Sequence, residues 1–291
     1  MQAYETKQEL FEWCKIAAKD LPNHPRAKVR LKIVASPQLV HEEMAATMIE
    51  EARDNNLRGV PTRWILPCGP RGQYPIFIER VNRERIDLRN VHVFHMDDHL
   101  DWQGRPLPLE HPFSYRGWME RNFYCTIDPA LQIPAEQRHF PNVAALDDMA
   151  ERMRKAGGVD TLYGGIGYRG HIAFNEPPRS PWHRIGKEEF RNCTTRILNL
   201  NDDTLIALSQ RSAGGCSDAI PPMAVTIGMR EVLSARRIRL YSETGAWKQT
   251  VIRLVLFGEV SPEIPATYVQ EHPDCLITVD SATAASPIVD A

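Results

Sequence analysis

Apolar residues near the start of the chain recur at helical spacing. Within residues 4–19 the side chains that share one helical face are Leu10, Phe11, Cys14, Ala17 and Ala18. Pro22 and Pro25 follow, and proline interrupts the hydrogen bonding of a helix. The spacing therefore predicts a helix over residues 4–19, within an N-terminal helical extension that we place at residues 1–28.

Short apolar or β-branched runs alternate with amphipathic stretches from Val29 onward, which indicates βαβ units and a parallel sheet. The runs that predict strands are, in chain order, RLKIVAS, TRWILPC, VHVFHM, DTLYGGIG, MAVTIG, IRLYSE and CLITVD. The segments that predict helices carry Met44, Met48, Ile49 and Ala52, or lie at residues 74–81, 146–155, 202–209 and 246–257. We therefore predict an α/β fold over residues 29–291, a single domain with a doubly wound, mostly parallel sheet. Helices cover both faces, and all of these strands belong to the one sheet.

Two proline-rich stretches, residues 103–112 and 177–186, interrupt this alternation. The second is long enough to form a mobile loop over a site, and it contains Trp182 and His183. In open α/β sheets, ligands bind beyond the carboxyl ends of the strands. The residues that follow each predicted strand are therefore the first candidates for function.

The composition indicates a globular protein with a small ligand. Of 291 residues, 43% are hydrophobic and 25% are charged, which is enough apolar sequence for a sizeable core and excludes a disordered or fibrous chain. The formal net charge of -2 is too balanced for binding to nucleic acid or anionic lipid. We therefore expect a small-molecule substrate, and neither nucleic acid nor a membrane as a partner.

Cysteine usage and the first residues indicate the compartment. Six cysteines are spread over the chain without a C-x-x-C pair: Cys14, Cys68, Cys125, Cys193, Cys216 and Cys275. This spacing argues against a disulfide framework and against a zinc knuckle. The first 20 residues carry charges throughout, and no stretch is apolar enough for a signal peptide or a membrane span. We therefore expect a cytoplasmic protein.

The sequence HMDDH follows the apolar run at residues 91–94, which places it at the carboxyl end of a predicted strand. Asp97 in this position suits a general base. In a second interpretation, one Asp caps a following turn and the histidines are partly exposed. In a third, a metal ion is bound by His92, His95, His99 and Asp101. Strand geometry disfavours this third interpretation, because it points His92 and His95 to opposite faces.

A second cluster is the segment LYGGIGYRGHIAFNEP at residues 162–177, an apolar strand that runs into glycines and then presents His171 and Glu176. Glycines allow the backbone to approach a ligand closely. The spacing of Gly165, Gly167 and Gly170 matches G-x-G-x-x-G only formally, and no acidic residue is placed to bind a ribose. A nucleotide-binding loop is therefore a minor alternative.

Several segments together carry a family resemblance. These are, in order, FHMDDHLDW, EHPFSYRGWMERNFY, GGIGYRGHIAFNEP, CTTRIL, AVTIGMREVL and IPATYVQEHPDCLITVD. In sequence and spacing they resemble the glucosamine-6-phosphate deaminases, whose wider group includes the 6-phosphogluconolactonases. The resemblance covers roughly residues 29–280, and GHIAFNEP is its most specific string. It implies a Rossmann-like fold.

The resemblance also implies roles for individual residues. Asp97 corresponds to the carboxylate that moves the proton of the substrate's C2, His171 to the histidine that assists ring opening, and Glu176 to its partner. Arg196 corresponds to an arginine that binds the substrate's phosphate. The complete set predicted to bind substrate is Cys68, Gly69, Arg71, Asp98, Arg169 and Arg196. The implied proton transfer needs no redox cofactor, and no metal is expected.

Three positions depart from the family pattern. The family's G-x-D-G-H motif has Arg169 in place of its Asp, so an arginine pointed at His171 would disfavour imidazolium. The phosphate loop at residues 67–74 is about two residues shorter, and it has lost hydroxyl groups and gained Arg71. The family's phosphate-binding lysine aligns with Pro222. Half of the expected phosphate anchor is therefore missing.

These observations predict an amino-sugar deaminase and isomerase of altered specificity, in which glucosamine 6-phosphate is a poor substrate unless Arg71 replaces the lost lysine. Two alternatives stay open. One is a lactonase-like hydrolase in which His171 activates water, and the other is a catalytically impaired sugar-binding or regulatory protein. Related deaminases include both oligomers and monomers, so a homo-oligomer is also open.

Overall fold

The computed structural model describes residues 3–288. The α-helices in this range are α1 (Lys7–Lys15), α2 (Pro37–Leu57), α3 (Gln73–Glu84), α4 (Tyr115–Asn122), α5 (Asp148–Lys155), α6 (Lys187–Arg191), α7 (Asp202–Ser212), α8 (Met229–Leu233), α9 (Gln249–Phe257) and α10 (Ser281–Ala284). The strands are β1 (Arg30–Val34), β2 (Thr62–Leu66), β3 (Val91–His95), β4 (Asp97–Leu100), β5 (Arg138–His139), β6 (Thr161–Gly165), β7 (Arg196–Asn199), β8 (Met223–Thr226), β9 (Arg237–Ser242) and β10 (Cys275–Asp280). Short 3-10 helices span Ala18–Asp20, Tyr124–Thr126, Ala135–Gln137, Ser217–Ala219, Gly245–Trp247 and Pro265–Glu271.

The main sheet has seven strands in the order β1-β10-β9-β6-β2-β3-β5, and every neighbouring pair is parallel. Side chains alternate between its two faces. Trp64 packs among residues of α2 and α3 on one face, whereas its neighbour Ile65 packs among residues of α5 and α9 on the other. The predicted α/β class, with a mostly parallel doubly wound sheet and helices on both faces, is confirmed.

A second, three-stranded sheet has the order β4-β8-β7, and its strands are antiparallel. The prediction that MAVTIG joins the main sheet is therefore wrong, because β8 pairs with β4 and β7. An apolar run shows that a strand is buried but does not show which strand it pairs with. The chain leaves the main sheet at Met96, between β3 and β4, so Asp97 lies at the junction of the two sheets.

The chain reverses its direction of strand addition between β2 and β6. From β2 the sheet continues through β3 to β5 on one side, and through β6, β9 and β10 to β1 on the other. Such a switch point opens a crevice outside the carboxyl ends of its strands. The loops after β2 and β6 approach closely there, since a Cβ on Gly165 would lie 3.0 Å from Cδ of Pro70.

The N-terminal segment packs onto α9. The helix predicted over residues 4–19 ends earlier, at Lys15, because Ile16 is extended, and a 3-10 turn follows. Trp13 contacts Phe257 with ring centroids 6.0 Å apart. The buried guanidinium of Arg253 donates hydrogen bonds to the carbonyls of Trp13 and Ile16 at 2.9 and 2.6 Å. These contacts tie the first helix to the core of the domain.

Within residues 3–288, no helix combines the length and the apolar character that crossing a membrane requires.

Candidate active site

A cavity of about 680 Å³ lies at the switch point of the main sheet. Its walls come from segments that follow four neighbouring strands: the turn at residues 69–72 after β2, Asp97 after β3, residues 165–167 at the end of β6, and residues 241–244 at the end of β9. His171 and Phe174 also line the cavity, as do Phe113 and Tyr115. The volume is in the range typical of small-molecule sites.

Asp97 is buried in the wall of this cavity and is 8% exposed. Burial, together with the neighbouring Asp98 carboxylate, raises the pKa of Asp97 to about 8. A carboxyl group with a pKa near neutrality can both accept and return a proton at physiological pH. The environment of Asp97 therefore suits reversible proton transfer.

Asp98 points in another direction and does not line the cavity. Its carboxylate accepts hydrogen bonds from the backbone amides of His99, Tyr115 and Arg116, at 2.9, 2.7 and 3.2 Å. Burial raises the pKa of Asp98 to about 6, although these hydrogen bonds oppose the shift. Asp98 thus acts as the turn-capping residue of the cluster, at the start of α4, and its predicted role in substrate binding has no support from this geometry.

The histidines of this cluster are structural. His95 and His99 are both buried, contrary to the expectation of partial exposure, and burial lowers the pKa of each to about 3. His95 lies 2.7 Å from the hydroxyl of Tyr124, and Nδ1 of His92 lies 3.5 Å from Nε2 of His139. In the described part of the chain, no three His, Cys, Asp or Glu side chains are grouped closely enough to hold a metal ion.

His171 and Glu176 form a close pair, with Nδ1 of His171 lying 2.8 Å from Oε1 of Glu176. Glu176 also accepts hydrogen bonds from the hydroxyl of Thr204 and, at 2.9 Å, from the amide of Asn201. Burial alone would raise the pKa of Glu176, but His171 and these donors together hold the pKa below its usual value. Glu176 is therefore an anion that orients His171, and it does not itself line the main cavity.

Gly167 is required beside His171. A Cβ on Gly167 would lie 1.8 Å from Nε2 of His171, so only glycine leaves room for the imidazole in this position. Both residues line the cavity. The glycine-rich segment after β6 thus makes room for the imidazole of His171. This geometry gives no support to a nucleotide-binding loop.

The turn after β2 contributes Gly69 and Arg71 to the cavity wall. The guanidinium of Arg71 lies over the ring of Trp118, 4.5 Å from its centroid, and donates to the carbonyl and thiol of Cys68 at 3.3 and 3.4 Å. Cys68 is buried behind the turn, and its burial raises the pKa of the thiol to about 12. Of this predicted pair, Arg71 is placed to meet a ligand and Cys68 is not.

Arg169 and Arg196 do not join Arg71 in the cavity. Arg169 borders a separate small pocket, where its guanidinium lies 3.4 Å from Asp203 and 3.8 Å from Glu263. Arg196 lines neither pocket, because its guanidinium donates to the side-chain oxygen of Asn175 at 2.7 Å. The three predicted arginines therefore do not form one anion site.

The proline-rich segment at residues 177–186 has no helix or strand and follows Glu176 directly. Its Trp182 side chain is 94% exposed. Arg179 fastens one end of the segment to Asp203, with 2.7 Å between the charged atoms. Residues 181–184 are exposed. None of residues 177–186 lines the main cavity, whereas Pro177 and Arg179 border the small pocket.

Four residues of the cavity wall with acidic, basic or imidazole side chains escaped the sequence analysis: His41, Arg211, Glu243 and Lys248. Glu243 lies 3.8 Å from both Nε2 of His41 and Nη2 of Arg211. Lys248 is 3% exposed, and its ammonium donates to the hydroxyl of Thr244 at 3.3 Å. The polar sequence after β9 was a usable signal for Glu243 and Lys248, because it follows a strand. Arg211, at the end of α7, had no such signal.

Comparisons with known proteins identify relatives. The chain is 32% identical over 221 residues to a glucosamine-6-phosphate deaminase of Halothermothrix orenii, covering 74% of this chain and 83% of that protein. It is 36% identical over 228 residues to a glucosamine-6-phosphate deaminase of Parabacteroides distasonis, covering 76% and 77%. No family model matches the chain.

Solved structures share the fold. A monomeric glucosamine-6-phosphate deaminase superposes with a TM-score of 0.74 at 24% identity, over 89% of this chain and 99% of that one. A 6-phosphogluconolactonase of Thermotoga maritima gives a TM-score of 0.57 at 14% identity, over 86% and 98%.

Proposed function

Because this chain belongs to the glucosamine-6-phosphate deaminase family, we propose that it is an amino-sugar deaminase and isomerase. It moves a proton between C2 and C1 of the substrate and releases ammonia. The observation that carries the proposal is that Asp97, a buried carboxyl with a raised pKa, and His171, oriented by Glu176, line the same cavity.

The reaction starts with opening of the sugar ring. His171, held by Glu176, moves a proton between the ring oxygen and the C1 hydroxyl, which gives the open-chain aldehyde. Asp97 then removes the proton from C2, and the electrons of the C–H bond pass into the carbonyl. A proton moves from the substrate's ammonium group to O1, which gives an enolamine. Return of the proton to C1 leaves an imine at C2. Water adds to this imine, ammonia leaves, and the ketose forms.

No oxidant or reductant enters this sequence. The oxidation at C2 is balanced by the reduction at C1, so the chain's own acid and base groups supply the chemistry. The buried Asp97 suits the transfer between two carbons of one substrate, because a proton that it holds is shielded from exchange with water. The proposal requires no cofactor.

Specificity is the second part of the proposal. The phosphate turn has lost hydroxyl groups, Pro222 stands where the family has a lysine, and Arg196 is directed away from the cavity. We expect glucosamine 6-phosphate to be a poor substrate and a differently substituted amino sugar or sugar acid to be preferred. A kcat/KM for glucosamine 6-phosphate of about 10⁴ M⁻¹s⁻¹ or higher contradicts altered specificity.

A lactonase-like hydrolase is the second candidate, because His171 with Glu176 beside it could also activate water. Ammonia release from a panel of phosphorylated amino sugars separates the two reactions, with 6-phosphogluconolactone hydrolysis measured in parallel. Lactone hydrolysis without any ammonia release favours the hydrolase. If the protein binds sugar but shows neither activity, the result favours a binding or regulatory protein. The six unpaired cysteines support our further expectation of a reducing, cytoplasmic setting.

A further inference from the structure

Asp203 lies beside the His171–Glu176 pair and has no part in the proposed proton transfers. It borders the same small pocket as the two members of the pair. Its Oδ2 atom accepts hydrogen bonds from the guanidinium of Arg169 at 3.4 Å and from that of Arg179 at 2.7 Å. A single carboxylate oxygen is therefore shared by two cations.

The two arginines lie on either side of the pair in the sequence. Arg169 comes two residues before the histidine, and Arg179 comes three residues after the glutamate. Because Asp203 binds both, the two ends of the segment that carries the pair are joined to one point at the start of α7.

The start of α7 also holds Glu176 directly. The amide of Asn201 donates to one oxygen of its carboxylate at 2.9 Å, and the hydroxyl of Thr204 donates to the other. Thr204 follows Asp203 in the sequence. A change at Asp203 therefore reaches the pair through the two arginines, without removing any of these contacts to the glutamate.

This arrangement gives a physical reason for the arginine at position 169, where the family pattern has Asp. The guanidinium of Arg169 lies between the carboxylates of Asp203, at 3.4 Å, and Glu263, at 3.8 Å. A carboxylate at position 169 would face two like charges, which repel it. The acidic groups of Asp203 and Glu263 thus suit the arginine of this chain.

We propose that Asp203 is a positioning residue for the reaction, and that it acts by holding Arg169 and Arg179 at the start of α7. This inference rests on the proposed function, because it concerns how His171 is aligned with the substrate. The two arginine side chains are 41% and 48% exposed, and ion pairs as exposed as these contribute little to stability. Alignment is more sensitive, since misplacing a catalytic group by about 1 Å can lower a rate about 10²-fold. Loss of the Asp203 carboxylate should therefore affect kcat much more than it affects unfolding.

The first test compares two neighbouring carboxylates. Asp203→Asn keeps the size of the side chain and should lower kcat for ammonia release about tenfold, with less than about threefold change in KM. Asp202→Asn is the matched control and should keep the wild-type kcat, because Asp202 is exposed in the same first turn of α7. The assay uses the phosphorylated amino sugar that the wild type turns over fastest. A wild-type kcat in folded Asp203→Asn, or an equal loss in the control, overturns the proposal.

A double-mutant cycle tests whether Asp203 acts through the arginines. Arg169→Gln and Arg179→Gln should each lower kcat about threefold to tenfold alone, but less than about twofold in the Asp203→Asn background. Arg169→Asp restores the residue of the family pattern, yet it should lower kcat more than Arg169→Gln does, because it adds a carboxylate beside Asp203 and Glu263. Effects that multiply independently, or a higher kcat in Arg169→Asp than in Arg169→Gln, overturn the proposed link.

Hydrogen exchange gives a readout that does not depend on turnover. In Asp203→Asn without ligand, the backbone amides of residues 169–179 should exchange faster than in the wild type, whereas those of α5 should not change. Circular dichroism and thermal unfolding establish that each variant is folded, with a melting temperature within about 5 °C of the wild type. Unchanged exchange in residues 169–179 overturns the proposal.

The two proposals fail separately. If no amino sugar of the panel yields ammonia, but exchange in residues 169–179 depends on Asp203, then Asp203 still positions the segment and the proposed reaction is wrong. If ammonia is released, and both kcat and exchange are unchanged in Asp203→Asn, the reaction stands and the positioning role is wrong. A lower kcat together with faster exchange supports both.

Discussion

Nδ1 of His171 lies 2.8 Å from Oε1 of Glu176, and this contact determines which ring nitrogen is available for chemistry. With Nδ1 directed at the carboxylate, Nε2 lies against Gly167 at the cavity. Thr204 and the amide of Asn201 hold the carboxylate in place. The imidazole is therefore oriented before substrate binds.

Replacing Glu176 with Gln should lower kcat about 10-fold to 10²-fold and change KM less than about threefold. The amide keeps the size of the side chain but no longer stabilises an imidazolium or selects the tautomer of His171. Steady-state ammonia release measures the effect. Glu79→Gln is the matched control, since Glu79 is 67% exposed on α3. A variant with undiminished kcat argues against a role for Glu176 in orienting His171.

Gly167→Ala tests the seat of the histidine. The added methyl group would overlap Nε2 of His171, so we expect the imidazole to shift and kcat to fall about tenfold or more. The stability of the fold should change little, so the melting temperature should stay within about 5 °C of that of the wild type. The observation that would sink this prediction is a folded variant with full activity.

Asp97→Asn should abolish most of the proton transfer. The amide has the same shape but cannot accept a proton from C2, and we expect a loss of about 10²-fold or more in kcat. Transfer of deuterium from a substrate labelled at C2 to C1 of the product reports this step directly, apart from ammonia release. Transfer at the wild-type rate in the variant would assign the base to another residue.

The raised pKa of Asp97 predicts two pH effects. Because the base must be ionised, kcat/KM should rise with pH through about 8, well above the range of an ordinary carboxylate.

The second effect concerns stability. Between about pH 4 and pH 8, Asp97 is protonated in the folded state but ionised in the unfolded chain, so its contribution to the stability of the folded state falls as the pH rises through this range. Asp97→Asn removes that penalty. The difference in melting temperature, Asp97→Asn minus wild type, should therefore be at least about 2 °C larger at pH 9 than at pH 5. A difference that is independent of pH is incompatible with the raised pKa.

Residues 177–186 should act as a lid over the site. The segment lacks helices and strands, exposes Trp182, and is fastened to the domain through Arg179 and Asp203. Saturating substrate should slow hydrogen exchange in this segment, while exchange in α5 serves as the internal reference. Equal protection of the segment with and without substrate counts against gating.

Much of the fold could be predicted because a strand is recognised from its own short run of residues. RLKIV, TRWIL and VHVFH are short β-branched or apolar runs, and the positions of Asp97 and His171 after their strands followed from the same pattern. The sequence does not show which strands pair with each other. MAVT is an apolar run like those of the main-sheet strands, yet it pairs with β4 and β7, and no local periodicity distinguishes the two sheets.

The place of Arg211 in the cavity was beyond sequence analysis for a related reason. Arg211 lies near the end of α7 and Lys248 lies between a 3-10 turn and α9, and only tertiary packing brings both to the cavity. Conversely, the motif that contains Arg196 matches the family, but a motif does not specify where a side chain points. In the structure Arg196 binds Asn175 and is directed away from the cavity.

The position of β10 in the main sheet has a consequence for synthesis on the ribosome. This strand is internal to the sheet, with β1 on one side and β9 on the other, so residues 30–34 acquire their neighbours at residues 276–280 only after all the residues between them have been synthesised. Until then β1 has no neighbour in the sheet, and the edge of β9 is open to pairing with other chains. A nascent chain halted before residue 275 therefore exposes an unpaired β9 edge, and chaperone binding to such stalled chains should be stronger than to chains that extend past residue 280.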